Sequence, residues 1–401
     1  MKTKLLLSAC LVPALFAGGC GRSPMDGLAR VGAAGSAGHT GVGTGGGGGE
    51  RPATGGQGGR GATGGATGGG GIFATGGQGG FVPTGGASGV GGSSASGGMP
   101  YALQGDLVQL ASGQPRPLWI AIDGTSVYWA NSDTAVRGAI LKAPLGGGAA
   151  TPLLTRGTPG GIAVDNTNVY WSGYSPDGDG TTALWKIPLA GGETTKLATG
   201  FMNDPIAVGP DGVYGTGSVD GGVTIVSAPL AGGATTALVP ASSLRQTFAS
   251  YGIAVDATSV YWVTFSDPST VMKVPLGGGS PTTLGSAPGG GFGLALDATS
   301  AYWISAKAVT KVGLQGGTPT TLAATGGQGT QGIAVDDTHV YWSDGGSPGS
   351  VYKVPIQGGA TMLLATNLQH PTGVAVDATS VYWVNAGDGG ATGSVMKLTP
   401  K

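Results

Sequence analysis

The sequence predicts an all-β fold in which seven copies of one four-stranded unit close into a ring behind a glycine-rich leader. Three observations carry this expectation. A short run recurs at Trp119 (WIAID), Gly161 (GIAVD), Pro205 (PIAVG), Gly252 (GIAVD), Gly293 (GLALD), Gly332 (GIAVD) and Gly373 (GVAVD), at intervals of 39 to 47 residues. That period lies in the range of propeller blades. Five residues beyond the last position of each run stands a tyrosine: Tyr128, Tyr170, Tyr214, Tyr261, Tyr302, Tyr341 and Tyr382. Finally, no segment sustains a helical hydrophobic period, whereas short runs rich in β-branched and aromatic residues alternate with Gly, Pro and Asp. The expected fold is a seven-bladed β-propeller closed by an N-terminal strand and preceded by a disordered Gly-rich tether.

The leader comes first along the chain. Residues 1–19 place Lys2 and Lys4 ahead of an apolar run and end in small residues, the layout of a signal peptide. The string AGGC ending at Cys20 resembles a bacterial lipobox, with Ala17 where leucine is commonest. The resemblance implies that Cys20 is acylated and becomes the mature N-terminus. Cys10 lies in the removed peptide, so no disulfide is expected. Gly21, rather than aspartate, leans the expected location towards the outer membrane or cell surface of a bacterial envelope. Residues 20–100 then form a low-complexity linker: 86 of the 401 residues are glycine, and they crowd this stretch. Such a segment buries too little apolar surface to offset its ordering entropy.

The repeat domain spans residues 101–401. Each unit reads as an anchor strand, a VYW strand, a KVPL strand and a TTLA strand, with the GG after PL suited to a hairpin that needs positive φ. The fixed spacing from anchor to tyrosine marks a tight turn. Alanine at the centre of every anchor (Ala121, Ala163, Ala207, Ala254, Ala295, Ala334, Ala375) suits the crowded innermost strand. The last copy stops after its third strand, at VMKLTPK, and its missing fourth strand is supplied by LVQLASG at residues 107–113. Closure by both termini hides exposed sheet edges.

These units resemble a known family. PTGVAVDATSVYWVN and QGIAVDDTHVYWSD look like the YWTD repeats, the class B repeats of lipoprotein-receptor ectodomains, and are similar to bacterial NHL-type and streptogramin-lyase-like propellers. The chain departs from YWTD domains in having seven units where six are usual, and in a third copy where Gly209 and Gly215 replace aspartate and tryptophan. The resemblance implies the fold. Propellers host receptors, lyases and lactonases alike, so it does not fix an activity.

Candidate chemistry is sparse. Six copies pair an aspartate with a threonine two residues on (Asp256 with Thr258, for example), which suits local turn bonding better than a reactive site. Binding residues are expected on the face formed by the second-to-third-strand loops and the connections between blades. There the candidates for contacting a ligand or partner are Arg116, Arg156, Asp204, Arg245, Phe248, Tyr251 and His370. SPDGDG at residues 175–180 resembles a calcium loop, which would make Asp177 and Asp179 metal ligands; calcium apart, no cofactor is expected. No GxSxG, HExxH or phosphate-cradling motif occurs, and no catalytic residue is assigned. With 13 Lys and Arg against 18 Asp and Glu in residues 101–401, nucleic acid is not an expected partner. The expected function is a membrane-anchored, monomeric binding module for an envelope protein or small ligand, not an enzyme. The alternatives are a metal-dependent lyase or lactonase and a structural spacer.

Overall fold

A computed structural model of the chain describes residues 105–132, 138–240, 250–327 and 330–401. The proposed signal peptide, Cys20 and the glycine linker lie outside the described residues. Every regular element that is described is a β-strand.

The strands form seven four-stranded antiparallel sheets. Blade 1 comprises Pro117–Ile122, Ser126–Asn131, Ala139–Pro144 and Thr151–Leu154. The next five repeat this order over residues 158–199, 201–237, 250–287, 291–324 and 330–368. The seventh combines Pro371–Val376, Val381–Asn385 and Gly393–Thr399 with the N-terminal strand Asp106–Gln114 as its fourth member. That strand is antiparallel to Gly393–Thr399, from Asp106 opposite Thr399 to Gln114 opposite Gly393. Closure is therefore as the sequence predicts. First strands meet those of neighbouring blades all round the ring, which makes them innermost.

Packing between blades explains the repeated residues. In six blades the tryptophan of the second strand (Trp129, Trp171, Trp262, Trp303, Trp342, Trp383) is buried. Alternation on the first strand puts Ile206 in the cluster shared with blade 2 and Ala207 in the cluster shared with blade 4. The anchor glycines allow close approach: a Cβ on Gly161 would stand 2.7 Å from the Asp204 carbonyl oxygen, and one on Gly252 2.6 Å from the Leu294 nitrogen. Blade 3 lacks the tryptophan. Phe201 fills its space, lying 3.1 Å from where a Gly215 Cβ would be.

The Asp-Thr-Tyr pattern proves to be one hydrogen-bonded unit. In blade 4, Asp256 Oδ1 accepts from the Thr258 amide (2.7 Å), the Thr258 hydroxyl (2.9 Å) and the Ser259 amide (2.8 Å), while Oδ2 accepts from Tyr261 Oη (2.8 Å). The same tyrosine bond occurs at Asp123, Asp165, Asp297, Asp336 and Asp377. Burial pushes these carboxyls up, but bonds from threonine and backbone, with those from tyrosine at five of them and from Lys401 at Asp336, outweigh it and hold all six below the usual carboxylate value. Burial, and then the bond to aspartate, pushes the partner tyrosines up.

A second staple joins neighbouring blades. The third-strand lysine donates to the backbone carbonyl at the PL turn of the next blade: Lys142 to Leu189 (2.5 Å), Lys186 to Leu230 (2.8 Å), Lys273 to Leu314 (2.6 Å), Lys311 to Ile356 (3.2 Å) and, across the closure, Lys397 to Leu145 (2.7 Å). In blade 3 that register, opposite Tyr214, is held by Ser227. Between blades 6 and 7 the link is ionic, Lys401 Nζ to Asp336 Oδ2 at 2.7 Å. All these contacts lie on the face of the first and third hairpins, called here the hairpin face. The opposite face is the mouth.

Two expectations follow. Tyr261→Phe removes a bond to a carboxylate and should cost about 1–2 kcal/mol in chemical denaturation, and Asp256→Ala, which orphans several donors, about 3 kcal/mol. Tyr214→Phe should be nearly neutral, because Gly209 offers no carboxylate; an equal cost there would show that the hydrogen bond is not the source. The six depressed carboxyls stabilise the fold fully above their unfolded value near 4 and less as pH falls through their folded values. Melting temperature should accordingly drop as the pH is taken below about 4, and a flat acid limb would contradict the assignment.

Candidate functional site

Each first strand is bulged where it reaches the mouth. In six blades one residue is extra: the strand advances two residues against one on its partner, as from Pro117 to Trp119, or three against two, as from Pro371 to Val374. In blade 3 it advances five, from Phe201 to Ile206, while the second strand moves two, from Gly217 to Gly215. Three residues are extra there. Bulges re-aim side chains and are frequent beside functional sites.

The widened bulge carries Met202, Asn203 and Asp204. Met202 is exposed and the other two are part-buried. Asp204 is held by its backbone, whose carbonyl accepts from Ser172 Oγ of blade 2 at 2.6 Å. Its carboxyl has no hydrogen bond or ion pair among the described residues, and burial alone pushes it up to about 6. Asn203 presses on blade 2: its Oδ1 lies 3.1 Å from where a Gly173 Cβ would be, and it is buried without a donor.

The other candidates are dispersed around the mouth. Arg116 and His370 occupy equivalent places before the first strands of blades 1 and 7, at φ of 52° in each case, and their carbonyls accept from the Ser132 and Ala386 amides. The His370 ring bridges two loops, with Nδ1 3.0 Å from the Gly345 carbonyl of blade 6 and Nε2 3.4 Å from Asp388 Oδ1 of blade 7. Arg156 is exposed on the connection from blade 1 to blade 2. Tyr251 lies in the strand Ser250–Val255, but its side chain is outside the described residues, as are Arg245 and Phe248 altogether.

Asp177 and Asp179 are exposed in the blade 2 loop. Asp179 Oδ1 accepts from the Thr181 amide (2.9 Å) and hydroxyl (2.7 Å), bonds that pull the carboxyl down. Among the described residues no three His, Cys, Asp or Glu side chains converge as metal ligands. Two further loop carboxylates are tied locally: Asp267 accepts from the Gly289 amide at 2.8 Å, and Asp388 meets His370.

Asp344, which the sequence offers as one of several aspartates at the second-to-third-strand loops, ends the second strand of blade 6. Its Oδ1 is buried without a partner, and burial pushes the carboxyl up against a bond from the Gly346 amide. It stands where other copies carry Asn, Gly, Thr or Ser. The expectations drawn from sequence missed the apolar Tyr174, Met202 and Phe265, which are 45 %, 39 % and 37 % exposed, with Phe292 edge-on to Phe265 at 5.5 Å.

Fold and repeat together define a seven-bladed β-propeller. Residues 338–378, one period of the repeat, match the low-density lipoprotein receptor repeat class B. No curated protein sequence matches the chain. Among solved structures it is similar to the computationally designed Ika8 protein, at 14 % identity over 73 % of this chain and 99 % of that one, with a TM-score of 0.49. It is also similar to the calcium-binding protein regucalcin from Agrobacterium tumefaciens (13 % identity, 74 % and 93 % coverage, TM-score 0.43). A Mycobacterium tuberculosis puromycin-hydrolyzing peptidase is matched at 18 % identity over 69 % of this chain and 58 % of its own length, with a TM-score of 0.40. Likenesses this distant transfer neither residues nor chemistry.

Asp204 gives a signed expectation. Its folded value, about 6, stands above the usual 3.8, so the ionised carboxyl is penalised in the fold above that pH and the penalty fades as pH falls towards 4. Asp204→Asn should therefore stabilise the protein at pH 8 by about 1–3 kcal/mol and change little at pH 4. Thermal melting at both pH values checks this; destabilisation at pH 8 would mean that the carboxylate has a stabilising partner.

Proposed function

We propose that the chain is a bacterial envelope lipoprotein, held by an acylated Cys20 and a glycine tether, whose propeller is a binding module that works through its mouth. The observation behind this is the division between the two faces. The hairpin face repeats the same aspartate, tyrosine and lysine bonds blade after blade, whereas the mouth differs in every copy and collects the exposed Tyr174, Met202 and Phe265. Repetition serves the scaffold; variation on a rigid ring serves recognition.

The position of the N-terminal strand fits this use. Asp106 pairs with Thr399 at the hairpin face, so the chain enters the propeller on the side away from the mouth. A binding role is also favoured over catalysis by His370, whose two ring nitrogens both hold loops together. Attachment near a membrane would raise the effective concentration of partners in the same envelope.

Two measurements test the proposal. Cys20→Ser should abolish metabolic labelling with a fatty acid and release the protein from the membrane fraction; unchanged labelling and fractionation would end the lipoprotein assignment. Tyr174→Ser combined with Phe265→Ser should remove partners cross-linked to the wild-type propeller in intact cells. An identical set of partners would remove the mouth from consideration.

A further inference from the structure

Blade 3 departs from the repeat in four ways at once. Gly209 replaces the turn aspartate, Gly215 the tryptophan and Ser227 the stapling lysine, and its bulge carries three extra residues where the others carry one. The first three are losses of stabilising contacts. The fourth adds something: Met202, Asn203 and Asp204 at the mouth. Places where one unit breaks rules that its siblings obey are where function is expected to override stability.

Several features of this bulge point to one kind of ligand. The Asp204 carboxyl is largely enclosed yet unpaired, an arrangement that costs free energy until a cation meets it. Among the described residues no cation pairs with it: Gly161 and Ser172 of blade 2 meet its backbone carbonyl rather than its carboxyl, while Lys186 and Tyr170 of that blade are committed at the hairpin face to Leu230 and Asp165. Tyr214 of its own blade lies towards Asp211 at the same distant face. The buried, donorless Asn203 Oδ1 is a second sign that the bulge is not settled by internal bonding alone.

Its rim is apolar. Asn203 packs on Gly173, and Tyr174 and Met202, each one residue removed from that contact in the chain, are both exposed. Calcium or magnesium wants six or more oxygen ligands, and among the described residues no three His, Cys, Asp or Glu side chains converge to hold a metal of any kind. An ammonium is a compact point charge on an apolar stem, a form of cation that a single carboxylate bordered by apolar side chains can hold without the two-pronged pairing a planar guanidinium uses.

We propose that the mouth between blades 2 and 3 binds an alkylammonium group, with Asp204 as its counter-ion and Tyr174 and Met202 against its stem. The group belongs either to a free amine or to a lysine side chain of a protein. The proposal rests on the mouth being the binding face.

Calorimetric titration of the full-length protein at neutral pH tests it, using n-butylamine and Nα-acetyl-lysine methylamide as probes and Nα-acetyl-norleucine methylamide as the uncharged control. Both amines, or one of them, should bind saturably and the control should not. Asp204→Asn should weaken binding by roughly tenfold or more, while Glu193→Gln, exposed on the hairpin face, should leave it unchanged. Binding of the lysine derivative alone assigns the site to a protein side chain; equal binding of butylamine assigns it to a free amine. Should Asp204→Asn melt early, the Met202 methyl resonance of the unsubstituted protein gives a second readout, and it should shift on titration. Absence of saturable binding, undiminished binding by a folded Asp204→Asn variant, or an unmoved Met202 resonance overturns the proposal. Intact partner capture at the mouth without amine binding sinks this inference alone, whereas loss of both sinks the binding role as well.

Discussion

A carboxylate that ties three donors of its own turn to the hydroxyl of a tyrosine five residues on is the bond that the rest of this ring depends on. It occurs six times, and it does two jobs at each place. Oδ1 closes the first hairpin, which sets the register of the first two strands; Oδ2 fixes the tyrosine, which is buried against the next blade. Local turn geometry is thereby converted into the angle at which one blade meets another. The lysine staple repeats the logic at longer range, since a cation on one blade finds the carbonyl of the next only if both hairpins are in place.

These repeated contacts share one face, whereas at the other the blades are joined by bonds particular to each copy, such as those of the His370 ring and the Ser172 hydroxyl. The loops there vary in length and composition without disturbing register. The two kinds of aspartate show the consequence in their protonation. Turn aspartates, surrounded by donors, are held below the usual value, whereas Asp204 and Asp344, enclosed without enough donors, are pushed above it. A protein that organises its carboxylates for stability on one side and leaves others under-satisfied on the opposite side has separated scaffold from site in physical terms.

Much of this was legible in the sequence, for identifiable reasons. Blade number, strand order and closure by residues 107–113 followed from a period that recurs seven times, because repetition lets weak local signals reinforce one another. The Asp-Thr turn was legible too, since its partners are two and three residues away. Its tyrosine was not assigned to it, although the constant five-residue spacing carried that information, and the recurrent lysine in an otherwise apolar strand went unread as a staple. The bulge around Asp204 was the least accessible: it depends on pairing between strands, and a run of Met, Asn and Asp before an anchor does not reveal how many residues its partner will match. Asp204 itself was picked out only as one charge among several between blades. Phe201, filling the space left by Gly215, belongs to the same class, because a compensating pair is visible only once both members have been brought together.

The closure of the ring has a temporal side. The strand Asp106–Gln114 is made nearly three hundred residues before Gly393–Thr399, with which it pairs. During synthesis it must wait with both edges open and with Leu107 and Val108, exposed even in the finished ring, in view of other chains. No other blade depends on so distant a partner. Each of the first six can assemble from its own stretch of chain as it appears, and the seventh turns a row of blades into a ring only when the last strand arrives. Completion of the fold is therefore a single late event that reports on the whole chain, and a truncated product would keep an unpaired leading strand as its mark.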